Sequence, residues 1–214
     1  ETETFTSYDS RNGLPNDVVY QIVEDKEGLM WLTTNNGLVS FQPATGAMKV
    51  YTTANGLLGE QFNYRSSFET EDGTIYLGSI DGFVAFNPKN FSENKSLPSI
   101  VITDFLLFGK EVYPGDPSSP LKKSINFLDE LVLQPDQNSF SFRVAALDFQ
   151  APRMNQIMYK LDGFDDEWLP VGESPVVSYS NLWYGNYTFR VKASNSDGVW
   201  NENEVSLIVR ILPP

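Results

Sequence analysis

The chain has 214 residues, no cysteine and no histidine, and its 28 acidic and 15 basic residues give a formal net charge of −13. The missing cysteine excludes disulfides, thiolate nucleophiles and cysteine-based metal sites, and the missing histidine removes the usual general base and the commonest metal ligand. The negative charge argues against binding to nucleic acids or to anionic membrane surfaces. Carboxylate pairs of the glycosidase kind and calcium sites with oxygen ligands remain open.

Turn-forming residues predict an all-β chain. The 15 glycines and 13 prolines recur at short intervals, which favours many short strands joined by turns. No apolar run approaches the roughly 20 residues of a membrane-spanning helix, and no signal peptide is visible at Glu1. We expect a chain that is soluble as it stands and that has no cofactor, no catalytic residues and no metal site.

An internal repeat fills the first part of the chain. Residues 24–43 and 69–88 match at an offset of 45 residues, and apolar residues alternate with polar ones in both copies as they do in strands. A period of about 40–50 residues with paired short strands is typical of β-propeller blades. We therefore predict about two blades in residues 1–97. The matched positions are Gly28 with Gly73, Trp31 with Tyr76, Gly37 with Gly82, Phe41 with Phe86 and Pro43 with Pro88.

Each copy contains a dipeptide that favours a tight turn between two strands. The dipeptides are Asn36-Gly37 and Asp81-Gly82. Because Asn, Asp and Gly tolerate the positive φ that a type I′ turn needs, the sequence predicts a type I′ hairpin at each. The matched prolines lack an N–H for the ladder and are expected to end the returning strands.

Two blades cannot close a propeller ring, because each blade buries its faces against its neighbours. We therefore expect uncovered apolar faces or strand edges in the blade region. Such surfaces recruit a partner, and we expect a homodimer. The alternative is a small independent sheet of four to eight strands capped by residues 1–10. The side chains expected on these faces are Leu32, Val39, Phe41, Leu77, Val84 and Phe86.

The repeat ends after Pro88, and a second pattern begins. Residues 89–98 are polar and end in proline, as linkers do. Residues 98–214 indicate an immunoglobulin- or fibronectin-III-like β-sandwich, because apolar residues alternate along short strands without a Cys–Trp–Cys framework. The predicted fold class is all-β, a partial β-propeller followed by this sandwich. The alternating sets are Phe140, Phe142 and Val144; Tyr187, Phe189, Val191 and Ala193; and Leu207, Val209 and Ile211.

The residues at the head of one sandwich strand have the form of a tyrosine corner. Leu182-x-x-Gly185-x-Tyr187 places a tyrosine whose hydroxyl is expected to bond back to upstream backbone. Trp183 lies in the preceding turn and is the tryptophan for which we expect most exposure. Its possible roles are a cap on the corner, a dimer contact or a platform for a sugar ring.

Two phrases resemble known families, and the resemblance extends over nearly the whole chain. The run Val19-Tyr20-Gln21-Ile22-x-Glu24-Asp25-x-x-Gly28-x-x-Trp31-Leu32 resembles the two-component regulator propeller repeat. The run from Tyr159-Lys160-Leu161-x-Gly163-Phe164 to Asn195-x-x-Gly198-x-Trp200 is similar to the Y_Y_Y domain. The positions that mark the second resemblance are Tyr159, Trp168, Gly185, Tyr187 and Trp200.

The resemblance implies the periplasmic sensor region of a Bacteroides-type hybrid two-component histidine kinase system. In that family the Y_Y_Y domain follows propellers that bind oligosaccharides, dimers are the working unit, and a membrane helix and a kinase come afterwards. It implies that this segment is not an enzyme and that it relays glycan binding to a membrane helix expected after Pro214. Most of the family's propeller surface is absent here, so little sugar binding is expected of the chain alone.

Two other classes of function stay open. A carbohydrate-binding or adhesion module needs an exposed aromatic platform, and a glycosidase or lyase fragment needs a cleft with paired carboxylates. Asp25-x-x-Gly28 has one residue more than the Asp-box of sialidase propellers, so we expect a structural turn there. The acidic residues before Trp168 lack the spacing of a calcium loop, and a solvated turn is expected. They are Asp162, Asp165, Asp166 and Glu167.

Overall fold

Strands and short 3-10 helices make up the regular structure of the chain. The computed structural model describes residues 5–91, 94–172 and 174–214. Those residues contain no α-helix, and none of their helical segments has the length and apolarity that a membrane crossing requires. The fold divides into two compact units, residues 1–93 and 94–214. The predicted fold class, an all-β chain with a partial propeller and a sandwich, is confirmed.

The first unit contains two antiparallel sheets in which each strand pairs with the next along the chain. Such up-and-down sheets are the units of a β-propeller, and we call them the first and the second blade. The first blade consists of β1 (Val19–Glu24), β2 (Met30–Thr34), β3 (Gly37–Gln42) and β4 (Ala47–Tyr51), and the second of β5 (Phe62–Glu69), β6 (Ile75–Ser79) and β7 (Gly82–Phe86). Short 3-10 helices span Ser10–Asn12, Thr53–Asn55 and Pro88–Asn90.

The predicted type I′ turns are wrong, although both glycines have a positive φ. Thr34 pairs with Gly37, and Ser79 pairs with Gly82, so the two loop residues precede each glycine. None of these four loop residues has a positive φ, whereas φ is +111° at Gly37 and +137° at Gly82. Each glycine therefore opens the returning strand instead of forming the centre of the turn.

One apolar cluster joins the two blades. Trp31 and Leu38 of the first blade are fully buried, as are Ile75 and Leu77 of the second, and all four belong to the same cluster. The side chains of a strand alternate between its two faces, so these residues mark the faces that the blades turn towards each other. Burying each of them stabilises the unit by about 1.5–3 kcal/mol.

The opposite face of the first blade has a smaller cluster of its own. Leu32 and Val39 are buried there together with Leu14, which comes from the segment before β1. The prediction that these two residues and Leu77 would be uncovered is therefore wrong. Of the six residues named in that prediction, the remaining three, Phe41, Val84 and Phe86, are half-buried.

The second unit is a sandwich of a four-stranded and a five-stranded sheet. The strand orders are β14-β11-β8-β9 and β10-β16-β15-β12-β13. The strands are β8 (Ser99–Leu107), β9 (Lys110–Glu111), β10 (Glu130–Leu133), β11 (Phe140–Leu147), β12 (Gln156–Asp162), β13 (Leu169–Pro170), β14 (Val176–Tyr179), β15 (Gly185–Ser194) and β16 (Val205–Ile211). Two further 3-10 helices span Ile125–Phe127 and Pro152–Met154.

The sandwich core follows the alternation seen in the sequence. Phe142 of β11 stacks on Phe189 of β15, with their ring centroids 4.3 Å apart. Both rings are fully buried, and the alternating apolar residues of β11, β15 and β16 belong to one cluster that includes both sheets. The pattern therefore identified the inward faces of these strands correctly.

The segment after residue 93 belongs to the sandwich. Asn94 is buried, and its side-chain Nδ2 donates to a carboxylate oxygen of Asp148 at 3.1 Å. The amide of Asn195 donates to the carbonyl groups of Asn94 and Ser96. The unit therefore begins four residues before the predicted boundary, because these hydrogen bonds attach the second half of the predicted linker to the sandwich.

Candidate functional site

The last strand, β16, lies inside the five-stranded sheet with a hydrogen-bonded neighbour on each side. It pairs in parallel with β10 over four residues and antiparallel with β15 over seven. Beyond the strand, the N–H of Leu212 donates to the carbonyl of Leu133 at 2.9 Å. Leu207, Val209 and Ile211 are buried in the core. The strand is thus held on both sides over Ile208–Ile211, its C-terminal part.

Tyr187 forms a corner at the start of β15. Its hydroxyl donates to the carbonyl of Trp183 at 3.0 Å. Gly163 has a φ of +94°, and a Cβ at this position would lie 3.2 Å from Cδ1 of the tyrosine ring, so the ring packs closely against the chain at a residue without a side chain. Gly185, where β15 begins, lies between the donor and the acceptor in sequence. These contacts hold the turn that presents Trp183, which is 73% exposed.

Two of the predicted motif tryptophans flank one lysine on the five-stranded sheet. The ammonium group of Lys192 lies 4.8 Å from the ring centroid of Trp168 and 5.4 Å from that of Trp200. The guanidinium of Arg190 lies 5.2 Å from the ring of Trp168 and holds Glu204 with two hydrogen bonds of 2.7 and 2.8 Å. These bonds to Glu204 raise the pKa of Arg190 above its ordinary value. The tryptophans act here as supports for cationic side chains.

One member of the acidic group before Trp168 is a structural acceptor. Oδ2 of Asp165 accepts a hydrogen bond from the N–H of Leu161 at 2.7 Å and another from the hydroxyl of Tyr179 at 2.9 Å. Burial raises the pKa of Tyr179, and its hydrogen bond to Asp165 raises it further. The expected solvated turn is therefore wrong for Asp165 and also for Asp162, which is the last residue of β12 and pairs with Arg190 at 3.2 Å. It describes the exposed Asp166 and Glu167. Within the described ranges, no three metal-ligating side chains are grouped so that they could hold an ion.

Within each unit, the predicted aromatic motif positions differ in their packing. In the sandwich, Tyr159 packs edge-on against Tyr179, with ring centroids 6.4 Å apart. In the first unit, Trp31 is 1% exposed, while Tyr76, its match in the repeat, is 38% exposed. Tyr159 and Trp31 are thus packing residues of their own units, whereas the residue that matches Trp31 in the second blade is partly exposed.

Asn195 is a structural residue that the sequence reasoning did not single out. It is fully buried, and besides its two donated bonds its Oδ1 accepts from the N–H groups of Asp197 and Val199 at 2.9 and 3.0 Å. It belongs to the run that is similar to the Y_Y_Y domain, which was the only signal in the sequence. Its partners near residue 94 lie about 100 residues away in sequence, and no local pattern predicts such a pairing.

Two protein families match separate parts of the chain. Residues 13–36 match the family described as two component regulator propeller. Residues 148–212 match the family described as Y_Y_Y domain. The first match covers the start of the first blade, and the second covers most of the sandwich.

Similar proteins belong to bacterial signalling systems. The chain is 32% identical to histidine kinase P4 of Formosa agariphila over 212 residues, which is 99% of this chain and 15% of that protein. It also matches a crystal structure described as the extracellular domain of a hybrid two component system from B. thetaiotaomicron, with 29% identity and a TM-score of 0.80. That match covers 96% of this chain and 28% of the other. The chain thus spans only a small part of the length of each.

Proposed function

We propose that this chain relays ligand binding to a membrane helix beyond Pro214. The support is that it joins a segment matching the two component regulator propeller family to one matching the Y_Y_Y domain family, and that it is similar to the extracellular domain of a hybrid two component system. The proposed ligand is an oligosaccharide, bound by a larger propeller to which the two blades contribute. The proposed location is the periplasm. The sandwich is the relay, and its output is the end of β16.

The position of β16 between two hydrogen-bonded strands is the observation that carries this proposal. A strand at the edge of a sheet can move after losing one ladder, but β16 is held by both β10 and β15. Its inward side chains are packed in the core, and packed cores transmit displacements because they are hardly compressible. A rearrangement of the sandwich therefore moves the end of β16 with it, which is the property that a relay needs.

The partly buried carboxylates of the sandwich favour a relay over catalysis. Asp165 accepts two hydrogen bonds within the core region, and Glu204 is held by both nitrogens of the Arg190 fork. A glycosidase needs two carboxyl groups that are free to face a scissile bond. We propose that the chain has no such activity. The test is to incubate the chain with a broad panel of glycans and to analyse the products. Reproducible turnover of any glycan would overturn this part of the proposal if substitution of one carboxylate residue abolished that turnover.

The relay is tested by loosening the end of β16 in a full-length sensor that carries this chain. A four-residue Gly-Ser insertion after Leu212 leaves both ladders in place but separates the strand from the membrane helix proposed beyond it. We expect it to abolish the oligosaccharide-dependent output of a reporter gene while the sensor is still made in normal amounts. The same insertion after Gly115, in the exposed loop that comes after β9, is the matched control and should preserve the response. An unchanged response to the insertion after Leu212 would contradict the relay.

One observation favours a second candidate, a carbohydrate-binding or adhesion module. The exposed Trp183 lies beside Tyr184, with ring centroids 5.5 Å apart and an angle of 37° between the planes. Adjacent exposed aromatic faces can hold an apolar sugar face. Calorimetry of the isolated chain with an oligosaccharide panel separates the candidates. The module is supported if the chain binds an oligosaccharide and Trp183→Ala removes that binding. Substitution of Phe127, which is about as exposed as Trp183, should leave the binding unchanged.

A further inference from the structure

Phe91 anchors the end of the first unit at the place where the two blades meet. Its ring centroid lies 5.2 Å from that of Trp31 and 5.4 Å from that of Tyr51, two residues of the first blade. It also lies 5.3 Å from the ring centroid of Phe86, the last residue of the second blade. One side chain near the end of the unit therefore contacts both blades.

The chain that leads to Phe91 is fixed to the second blade. The side chain of Asn87 caps the 3-10 helix Pro88–Asn90, and its Nδ2 donates to the carbonyl of Asp72, in the turn between β5 and β6, at 3.1 Å. The N–H of Phe91 donates to the carbonyl of Pro88 at 3.0 Å, which ends the helix. A movement of the second blade therefore carries Phe91 with it.

The residues of the first blade that Phe91 contacts are fixed as well. Trp31 is 1% exposed, and Tyr51 pairs with the buried Leu38 across β3 and β4. Such a packed cluster hardly compresses, whereas the ring of Phe91 is 45% exposed and can shift towards solvent. A change in the angle between the blades therefore displaces Phe91 and is not absorbed by the cluster.

The second anchor is Asn94, which is held by both sheets of the sandwich. Its Nδ2 donates to a carboxylate oxygen of Asp148, the residue directly after β11 of the four-stranded sheet. Its carbonyl accepts from the amide of Asn195, the residue directly after β15 of the five-stranded sheet. Its backbone N–H donates to Oδ2 of Asp197 at 2.6 Å. A displacement of Asn94 therefore acts on the ends of strands in both sheets.

Asn195 connects this anchor with the proposed output of the relay. It continues directly from β15, which pairs with β16 over seven residues. A displacement that reaches Asn195 thus arrives at the strand next to β16 through the backbone, and at β16 itself through the ladder. The path consists of covalent bonds and hydrogen bonds only.

We propose that Phe91 and Asn94 form the input of the relay: Phe91 responds to the angle between the blades, and Asn94 passes its displacement to the sandwich. Residues 92 and 93 alone separate the two anchors in sequence, and covalent geometry limits the distance between the Cα atoms of the anchors to about 11 Å. The chain between them therefore has little slack. The biological role rests on the proposed relay, but the coupling of the two units is a property of this chain and can be measured by itself.

The coupling is tested by measuring distances between spin labels. The chain has no cysteine, so Ala44→Cys in the first unit and Asp136→Cys in the sandwich, both at exposed loop positions, are its only labelling sites. Double electron–electron resonance should give one narrow distance distribution for the doubly labelled chain. Phe91→Ala should replace that narrow peak with a broad distribution, because the first anchor is lost.

Two further variants separate coupling from folding. Phe91→Tyr keeps the ring and should keep the narrow peak, and so should Phe127→Ala, which removes an exposed ring from the sandwich. Circular dichroism of each variant establishes that both units remain folded. A peak that is equally narrow in Phe91→Ala, or a distribution that is already broad without this change, would overturn the proposal.

The same substitutions test the input in a full-length sensor that carries this chain. Phe91→Ala should lower the oligosaccharide-dependent reporter response at least about fivefold, the low end of coupling between two sites, and leave sugar binding unchanged. Phe91→Tyr should restore the response. If the insertion after Leu212 abolishes the response and Phe91→Ala does not lower it, the relay stands and the input proposal is wrong. If that insertion has no effect, the relay itself fails, whereas the spin-label distances still report on the coupling.

Discussion

Trp31 donates a hydrogen bond of 3.0 Å from its indole Nε1 to Oδ2 of Asp25, and both side chains are buried in the first blade. The other carboxylate oxygen accepts from the backbone N–H groups of Glu27 and Leu29 at 2.9 and 3.0 Å. One carboxylate thus fixes both the turn between β1 and β2 and the indole that packs towards the second blade. The Asp25-x-x-Gly28-x-x-Trp31 phrase is a structural motif, as the sequence predicted.

Asp25→Asn is expected to lower the free energy of unfolding of the first unit by about 1–3 kcal/mol. The asparagine side chain has one oxygen and one N–H₂ group. If the oxygen stays at the turn, the N–H₂ group faces the indole N–H; if the oxygen faces the indole, the N–H₂ group faces the backbone N–H groups of the turn. In either orientation at least one buried donor loses its acceptor. Urea unfolding followed by hydrogen exchange of the β2 and β3 amides measures the change. Asp81→Asn, at an exposed residue of the hairpin between β6 and β7, is the control. Equal midpoints for the two variants would show that the Asp25 bonds contribute little.

Gly37→Ala is expected to be more destabilising than Gly82→Ala, although the two glycines match in the repeat. Both have a positive φ, which costs an alanine about 1–2 kcal/mol. Only at Gly37 would a Cβ lie 2.5 Å from a backbone atom, the carbonyl oxygen of Tyr51, whereas at Gly82 its nearest neighbour would be a side-chain carbon of Leu58 at 3.8 Å. Thermal unfolding of the two variants compares them directly. The same loss in both would mean that backbone conformation alone decides the effect.

Tyr187→Phe is expected to lower the stability of the sandwich by about 1–1.5 kcal/mol through loss of the hydrogen bond to the Trp183 carbonyl. The fold should not change, because the ring stays in place. Denaturant unfolding gives the shift in midpoint. Tyr184→Phe, at an exposed residue of the same turn, should shift the midpoint much less. An unshifted midpoint for Tyr187→Phe would argue against a corner.

Alternation along single strands was the part of the fold that the sequence predicted best. The period of two placed Phe140 and Phe142 inward because a strand leaves no other choice once one face is buried. The turns at Gly37 and Gly82 were predicted wrongly, because an Asn-Gly or Asp-Gly pair indicates a turn without indicating its register. The parallel pairing of β10 with β16 was not foreseen, since it joins strands about 80 residues apart.

The candidate site was only partly predictable for the same reason. The corner at Tyr187 could be predicted because donor and acceptor lie within one turn of chain. Asn195 was missed because its partners at Asn94 and Ser96 are distant in sequence. The exposure of Tyr76 was missed because the sequence shows which residues match but not which blade faces are occupied.

Asn195→Asp is expected to destabilise the sandwich by at least about 1–3 kcal/mol. The carboxylate keeps the two accepted bonds but replaces the amide that donates to the carbonyls of Asn94 and Ser96, leaving a buried charge facing two carbonyl oxygens. Hydrogen exchange should show the first loss of protection in residues 94–98. Asn203→Asp, at an exposed position, provides the comparison, and full protection of residues 94–98 in the Asn195 variant would contradict the expectation.

The stability of the sandwich is expected to fall above about pH 10, the ordinary pKa of tyrosine. Burial and the bond to Asp165 raise the pKa of Tyr179 in the folded state, so its contribution is fully present below that pH. The contribution is lost as pH rises, because the unfolded state then releases the proton first. Tyr179→Phe should unfold more easily at pH 8 but lose less stability between pH 9 and 11. Melting temperatures across that range test this, and parallel curves for the two proteins would contradict it.

The repeat of the two blades bears on how such chains can vary in length. Blades that pack against each other through matched positions can be duplicated or deleted as blocks of about 45 residues. The 3-10 helices that follow Asp9 and Thr52 begin with the same reciprocal capping arrangement and mark one edge of such a block. Gain or loss of a blade between these caps would leave the flanking contacts matched, so blade number can change in genetic steps that each yield a foldable protein.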